Sequence, residues 1–424
     1  MKTFGPIEDN AREQLVRCQA AEDNAPAVLC ADHHLGYSMP IGGVIGYEWL
    51  VSPSAVGYDI ACGNMAVRTD ALAKDINVAT VMDDVWRSVS FGVGRKNAER
   101  VEHPVIDAIA SSPVTFQRGL REMAAQQLGT VGSGNHYVDL FEDTNDGALW
   151  IGVHFGSRGF GHKTATWALD QCGTKDDSMD APPVVISLGT QLGQDYLAGM
   201  EIAGQYAYAG REWVVGKVLS IIGAHATETI HNHHNFAWQE THGGRSLWVH
   251  RKGATPAFPG QRGFVGGTMG DNAVILEGVE HPESAEALYS TVHGAGRVIS
   301  RRKATGKEKA AWTCGDYRNC DGWLPIVTEK GEDGSNPKCP KCGKKTQRGR
   351  RVISLGLVNW SKASADVRAK GVELRGAGAD EAPECYKRLE DVLAYHGDTV
   401  RVLHVLRPIG VAMAGADVFD PFKD

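Results

Sequence analysis

Short apolar runs that stop at histidine, aspartate or cysteine, each followed by a glycine-rich loop, most restrict the folds open to this chain of 424 residues. AVLC leads into Asp32, His33 and His34, and VGYDIACG carries Asp59 and Cys62. GTVGSGNHYVDL carries Asn135, His136 and Asp139, and WIGV delivers His154 into FGSRGFGH. Runs this short and apolar read as buried strands bounded by turns. Glycine, at 51 residues, is concentrated in loop-like runs such as GSGNH, GSRGFGH and GGTMG. The pattern suits a site built from loops on a rigid scaffold.

With 42% hydrophobic and 22% charged residues, the chain can bury a substantial core, as two or three domains or one elaborate domain. A net charge of −7 does not announce a nucleic-acid partner in bulk, but leaves room for a local basic face. No run of 18 apolar residues predicts a membrane span, and the polar start MKTFGPIEDNAREQ has no signal-peptide core. Nine cysteines, an odd number, argue against a disulfide scaffold and for reduced thiols, some metal-bound, in a cytoplasmic setting.

Periodicity predicts helices over residues 9–20, 78–89, 122–128 and 193–215, with Pro104 and Pro113 as breaks. Met200, Ala203 and Ala207 form a core-type helical face. Strands are expected at residues 27–30, at 150–153, in VVISL and at 401–411, and DEAPECYKRLEDVLAY (380–395) reads as a helix bearing Tyr386 as a packing residue.

The richest chemistry lies in YSTVHGAGRVISRR, residues 289–302. There His293 abuts Gly294, Ala295, Gly296 and Arg297. Small residues admit an anion close to the backbone, arginine can grip phosphate in bidentate fashion, and an imidazole can carry a phosphoryl or nucleotidyl group. A tight turn with an incidental histidine is the competing reading. Asp59 and Cys62 pair a hard with a soft ligand, suited to Zn²⁺ or Mn²⁺; a buried small cysteine is the alternative. Asn135 is placed to hold a phosphate oxygen and His136 a metal. ETIHNHHNFAWQETH offers His231, His233, His234 and His242, a tract of metal-binding type. His250, Arg251 and Lys252 precede another glycine and suit phosphates, or form a solvated basic turn.

A distinct module follows. Cys314, Cys320, Cys339 and Cys342, with the basic flank KCGKKTQRGRR, have the composition of a small zinc ribbon over residues 314–342 that folds on its metal. Five residues separate the first pair, wider than the usual spacing, and an irregular loop with stray cysteines is the alternative.

In order, the Asp-x-x-Cys-Gly, GSGNH, His-x-Gly-Ser-Arg-Gly, His-Asn, HRKGAT, Gly-x-Met-Gly and HGAGR motifs resemble those of the RtcB family of RNA-splicing ligases, from about Asp32 to Gly415. The resemblance implies an α+β fold: one large domain spanning 1–424 with sheets around a central metal and nucleotide cleft, the ribbon being an insertion. It implies joining of RNA ends bearing a 2′,3′-cyclic phosphate or 3′-phosphate to 5′-hydroxyl ends, with GTP and two Mn²⁺, in RNA repair or tRNA splicing. An archease-like activator is a possible partner of such an enzyme. His293 is the residue expected to be guanylylated, with Asp32 beside it. Asp59, Cys62, His136, His154 and His234 are the implied metal ligands; His234 is preferred to His231 because HNFAWQE matches the family's His-Asn and later Glu. Asn135, Asp139, Asn235, Thr268, Gly294, Ala295, Gly296, Arg297 and Tyr386 are the implied guanylate contacts. The chain departs from the family pattern at Asp139 (usually Glu), Phe155 (commonly Ser), Gly210 (an expected Asn) and Met413 (a lysine that contacts guanine). A 3′-phosphate capping enzyme, a metal-dependent cyclic phosphodiesterase and a non-catalytic RNA binder are the alternatives.

Overall fold

The computed structural model describes residues 1–174, 178–316, 320, 322–416 and 418. Two β-sheets dominate it. The larger has the path Ala226–His233, Gly63–Leu72, Ala148–Phe155, Tyr137–Asp143, Val400–Met413, Ala273–Gly278 and Arg262–Val265, antiparallel throughout. Glu373–Gly376 is an eighth strand, parallel to Val400–Met413. The smaller sheet runs Lys2–Thr3, Ala27–His34, Ile41–Tyr47, Arg245–Lys252 and Asn235–His242. This is the α+β arrangement with sheets about a cleft that the motifs imply.

Burial explains why the central strands read as continuous apolar runs. Every residue of Ala148–Phe155 is buried, because both faces of its sheet are covered. One face packs Val138, Leu140, Ile151 and Val153 against Val214 and Val218 of a helix. The other packs Phe141, Trp150, Phe264 and Ile275 together. That helix, Gln191–Ile222, is longer at both ends than its apolar pattern predicts. It starts where the Thr190 side chain accepts the Gly193 N–H, and stops at Gly223 in the left-handed region, φ 75°.

Two local expectations, for VVISL and for residues 380–395, are revised, and the histidine-rich tract gains a defined structure. VVISL contributes only the two-residue strand Ile186–Ser187, which pairs with Leu50–Val51. The histidine-rich tract is two strands, Ala226–His233 in the larger sheet and Asn235–His242 in the smaller. Residues 380–395 are not one helix. They form two 3₁₀ turns, Ala379–Glu381 and Pro383–Cys385, then the short helix Leu389–Ala394. Pro383 lacks the N–H needed to continue the first turn, and Tyr386 is extended at φ −124°, ψ 155°, bridged to Arg297.

Gly306–Cys314, Trp323–Pro325 and Thr346–Leu355 form a separate three-stranded sheet. The cysteine module therefore grows from a hairpin that starts at 306 and returns at 355.

Candidate active site

The two large sheets meet at one residue. His233 ends a strand of the first and Asn235 begins a strand of the second, so His234 stands at the crossover. Its N–H donates to the Cys62 carbonyl at 2.8 Å. The turn bearing Asp59 and Cys62 is closed by the Cys62 N–H on the Asp59 carbonyl, 3.0 Å, and tied across by the Ala61 N–H on the Asn235 carbonyl, 2.7 Å. His136 enters just before the strand Tyr137–Asp143, and His154 lies near the end of Ala148–Phe155.

These side chains converge. Cys62 Sγ lies 3.2 Å from His154 Nε2 and 3.6 Å from His136 Nε2, and Asp59 Oδ2 lies 3.0 Å from His136 Nε2. Ring centres separate His154 and His234 by 5.0 Å, and His234 and His293 by 4.8 Å. His136 Nδ1 faces the Val131 carbonyl at 2.9 Å. The Arg158 guanidinium lies 3.2 Å from the same Nδ1, and Nε2 points toward Cys62 and Asp59. His234 Nδ1 is buried without a hydrogen-bond partner. Burial holds His154 and His234 well below the ordinary histidine value, so both imidazoles are neutral. A carboxylate, a thiol and three imidazoles, one with a buried and unpartnered ring nitrogen, have the composition of a divalent metal centre.

His293 follows the strand Ser290–Val292. Its Nδ1 is 2.6 Å from Asp32 Oδ2, which also accepts the His293 N–H at 3.0 Å and the Gly294 N–H at 3.3 Å. Burial raises the Asp32 pKa, but the charge of and hydrogen bonds from His293 outweigh it, so the carboxyl sits below its usual range. An ionised carboxylate cannot donate, so His293 Nδ1 carries a proton and Nε2 is the ring nitrogen turned away from Asp32. Gly296, at φ 78°, is needed here: a Cβ would stand 2.3 Å from the Asp32 carbonyl oxygen.

Asn135, Asp139, Asn235, Thr268, Gly294 to Arg297 and Tyr386 line the same cavity as these groups, with Met413 and Arg301. Asn235 is occupied: its Oδ1 accepts the Gly253 N–H at 2.7 Å and its Nδ2 faces the Asp59 carbonyl at 3.3 Å. Thr268 donates to Asp271 at 2.8 Å. Asp139 is buried with Oδ1 unpartnered, and burial pushes its pKa well up.

Arg297, read from sequence as a phosphate grip, is engaged by protein. It donates to Glu381 at 3.1 Å, to the Tyr386 hydroxyl at 2.7 Å and to the Asp380 carbonyl at 2.6 Å, and lies over the Tyr386 ring. The other histidines of the tract face elsewhere. His231 and His233 accept from Arg211 at 2.8 and 3.0 Å, and His242 pairs with Glu240 at 2.8 Å. Of the HRKGAT residues, Arg251 is tied to Glu240 and Ser290, and Lys252 to the Tyr37 and Ser54 carbonyls.

The family model described as tRNA-splicing ligase RtcB matches residues 14–122 and 110–317. This chain belongs to the RtcB family. It is 31% identical over 332 residues to the RNA-splicing ligase RtcB of Escherichia coli strain K12, covering 70% of this chain and 80% of that protein. It is 28% identical over 470 residues to the tRNA-splicing ligase RtcB of Archaeoglobus fulgidus, covering 91% and 87%. A tRNA-splicing ligase RtcB of Pyrobaculum aerophilum matches at 29% over 365 residues.

Two residues of this RtcB-family site escaped sequence reasoning. Arg211 is fully buried and donates to the Ala61 and Phe155 carbonyls at 3.0 and 2.6 Å, bracing the neighbours of Cys62 and His154. Its signal was a charge on an apolar helix. Glu381 is buried between Arg297 and Arg301, the latter at 2.8 Å, and was hidden inside the expected 380–395 helix. Away from the cleft, the sulfurs of Cys314, Cys320, Cys339 and Cys342 lie within 4.8 Å of one another. The Cys314–Cys342 and Cys320–Cys339 distances are 3.4 and 3.7 Å. Tetrahedral zinc with bonds of about 2.3 Å sets sulfurs about 3.8 Å apart. Among the described residues, no helix is long and apolar enough to cross a membrane.

Proposed function

We propose that this chain joins RNA ends, linking a 3′-phosphate or 2′,3′-cyclic phosphate end to a 5′-hydroxyl through a guanylylated His293. The observation that carries the reading is His293 itself: Asp32 holds its Nδ1–H at 2.6 Å, and its ring stands 4.8 Å from that of His234 at the edge of the ligand cluster. Nε2 attacks the α-phosphorus of GTP, an N–P bond forms, and the bond to pyrophosphate breaks. Asp32 stabilises the imidazolium produced. An oxygen of the RNA 3′-phosphate then takes the guanylate and frees His293. The 5′-hydroxyl attacks the activated 3′-phosphorus, and GMP leaves. A cyclic end is first opened by water to the 3′-phosphate.

Asp59, Cys62, His136, His154 and His234 would hold two Mn²⁺, which when bound neutralise phosphate oxygens. Asn135, Asp139, Asn235, Thr268 and the 294–297 turn would surround the guanylate. Arg297, bonded to Glu381 and Tyr386, acts by placing Tyr386 and the turn. The four ribbon cysteines would hold one Zn²⁺.

Incubation with Mn²⁺ and each α-³²P-labelled NTP, comparing the parent chain with His293→Ala, tests this. Label retained from GTP and lost in the variant is the expected result. Label from ATP or several NTPs would assign altered base choice to the Asp139 and Met413 wall. No label from any nucleotide would reject the covalent route and favour the phosphodiesterase.

A further inference from the structure

Residues 301–351 hold fourteen Lys and Arg against six Asp and Glu, a net +8 in a chain of −7. The remainder of the chain therefore carries −15. A polyanion approaching such a body is repelled except where positive charge is concentrated.

The basic segment leaves from the wall of the cleft. Arg301 lines the cavity and donates to Glu381 at 2.8 Å. The helix it opens, Arg301–Thr305, packs on the 379–381 turn. Gly306 follows at once and starts the three-stranded sheet. Lys307, Lys309 and Lys345 on and beside that sheet are exposed. The Arg348 guanidinium lies 5.7 Å over the Trp312 ring, and the Trp312 indole N–H is tied to the Thr328 carbonyl at 3.0 Å. The four-cysteine cluster closes the far end of the Gly306–Cys314 strand. Lys307, Lys309 and Arg348 are thus mounted on paired strands of a cross-braced sheet, which lowers the ordering cost of binding.

We infer that the sheet over 306–355 is a nucleic-acid arm that holds the phosphate backbone of the RNA whose end occupies the cleft. Naming RNA as the strand rests on the ligase reading; the arm supplies net positive charge to a body that is acidic in net. It works through charge, so it accepts RNA of any sequence.

Fluorescence anisotropy tests it, with the zinc-loaded full chain and a single-stranded RNA of about twenty nucleotides ending in a 3′-phosphate, across a salt series. In Lys307→Ala/Lys309→Ala/Lys345→Ala, affinity is expected to fall at least about tenfold at 0.1 M salt, and the log–log salt slope to shrink by about 2, at about 0.7 per lost single-strand phosphate contact. The triple arginine variant is expected to keep the parent affinity. Zinc content and nucleotide labelling of His293, measured on the same preparations, are expected to be unchanged. Equal affinity and slope in the parent and alanine variants would overturn the arm. Loss of RNA affinity in a chain that labels with no nucleotide would support the arm and reject the ligase reading instead.

Discussion

Gly156 shows how tightly single atoms set this site. A Cβ there would stand 2.2 Å from Asp59 Oδ1, so Gly156→Ala must push the carboxylate off its position beside His136. Mn²⁺ affinity, measured by calorimetry, is expected to fall about ten- to a hundredfold, the range seen when a ligand's support is disturbed. Glu381 sets a pH dependence. Burial raises its pKa, but Arg301, Arg297 and the Tyr386 hydroxyl lower it below the ordinary glutamate value. The unfolded chain therefore binds the proton first as pH falls. The stabilisation is complete above the ordinary value and lost as pH drops through the lowered folded one. Glu381→Gln is expected to cost about 3 kcal/mol at neutral pH, because two mostly buried guanidiniums lose their counter-ion. Its urea midpoint should then fall less than the parent's on acidification; parallel curves would show that Glu381 does not titrate with folding.

At the scale of elements, strands whose burial follows a simple pattern were legible, and segments ordered by distant partners were not. Ala148–Phe155 is buried on both faces, and its apolar run announces it. The tract around His234 carries no such pattern, because it changes sheets and its inward residues answer to different neighbours. The 380–395 segment has helix-like composition, yet Glu381 and Tyr386 are drawn to Arg297, 84 and 89 positions away, and that network overrides local propensity. The helix Gln191–Ile222 obeys its local signals instead. Thr190→Ala removes its N-cap acceptor and is expected to lower unfolding free energy by about 1 kcal/mol in a urea titration, leaving His293 labelling intact.

For the whole molecule, the ribbon and the two-sheet body are stabilised differently. The body has apolar clusters on both faces of its larger sheet. Among the described residues, the cysteine module buries Ala311, Trp312, Cys314 and Cys339 and gathers four thiols, and a small module with so little apolar core is expected to rely on a metal. Elemental analysis is expected to find zinc in the parent and none in Cys339→Ser/Cys342→Ser, which trypsin is expected to cut within 306–355. The urea midpoint of the body should stay near the parent value; a shared collapse would make ribbon and body one cooperative unit.

The sequence by itself determined the chemical inventory: a histidine in a small-residue turn, oxygen, sulfur and nitrogen ligands at strand ends, four cysteines in a basic segment, and the motif order of the RtcB family. These are local properties, set by residue type and strand periodicity. Only the tertiary structure decided that His234 alone of its tract stands at the sheet crossover, that Arg211 braces the carbonyls beside Cys62 and His154, and that Glu381 claims Arg297. Each depends on a buried polar or charged group meeting a partner far along the chain, where burial makes an unmade pairing costly.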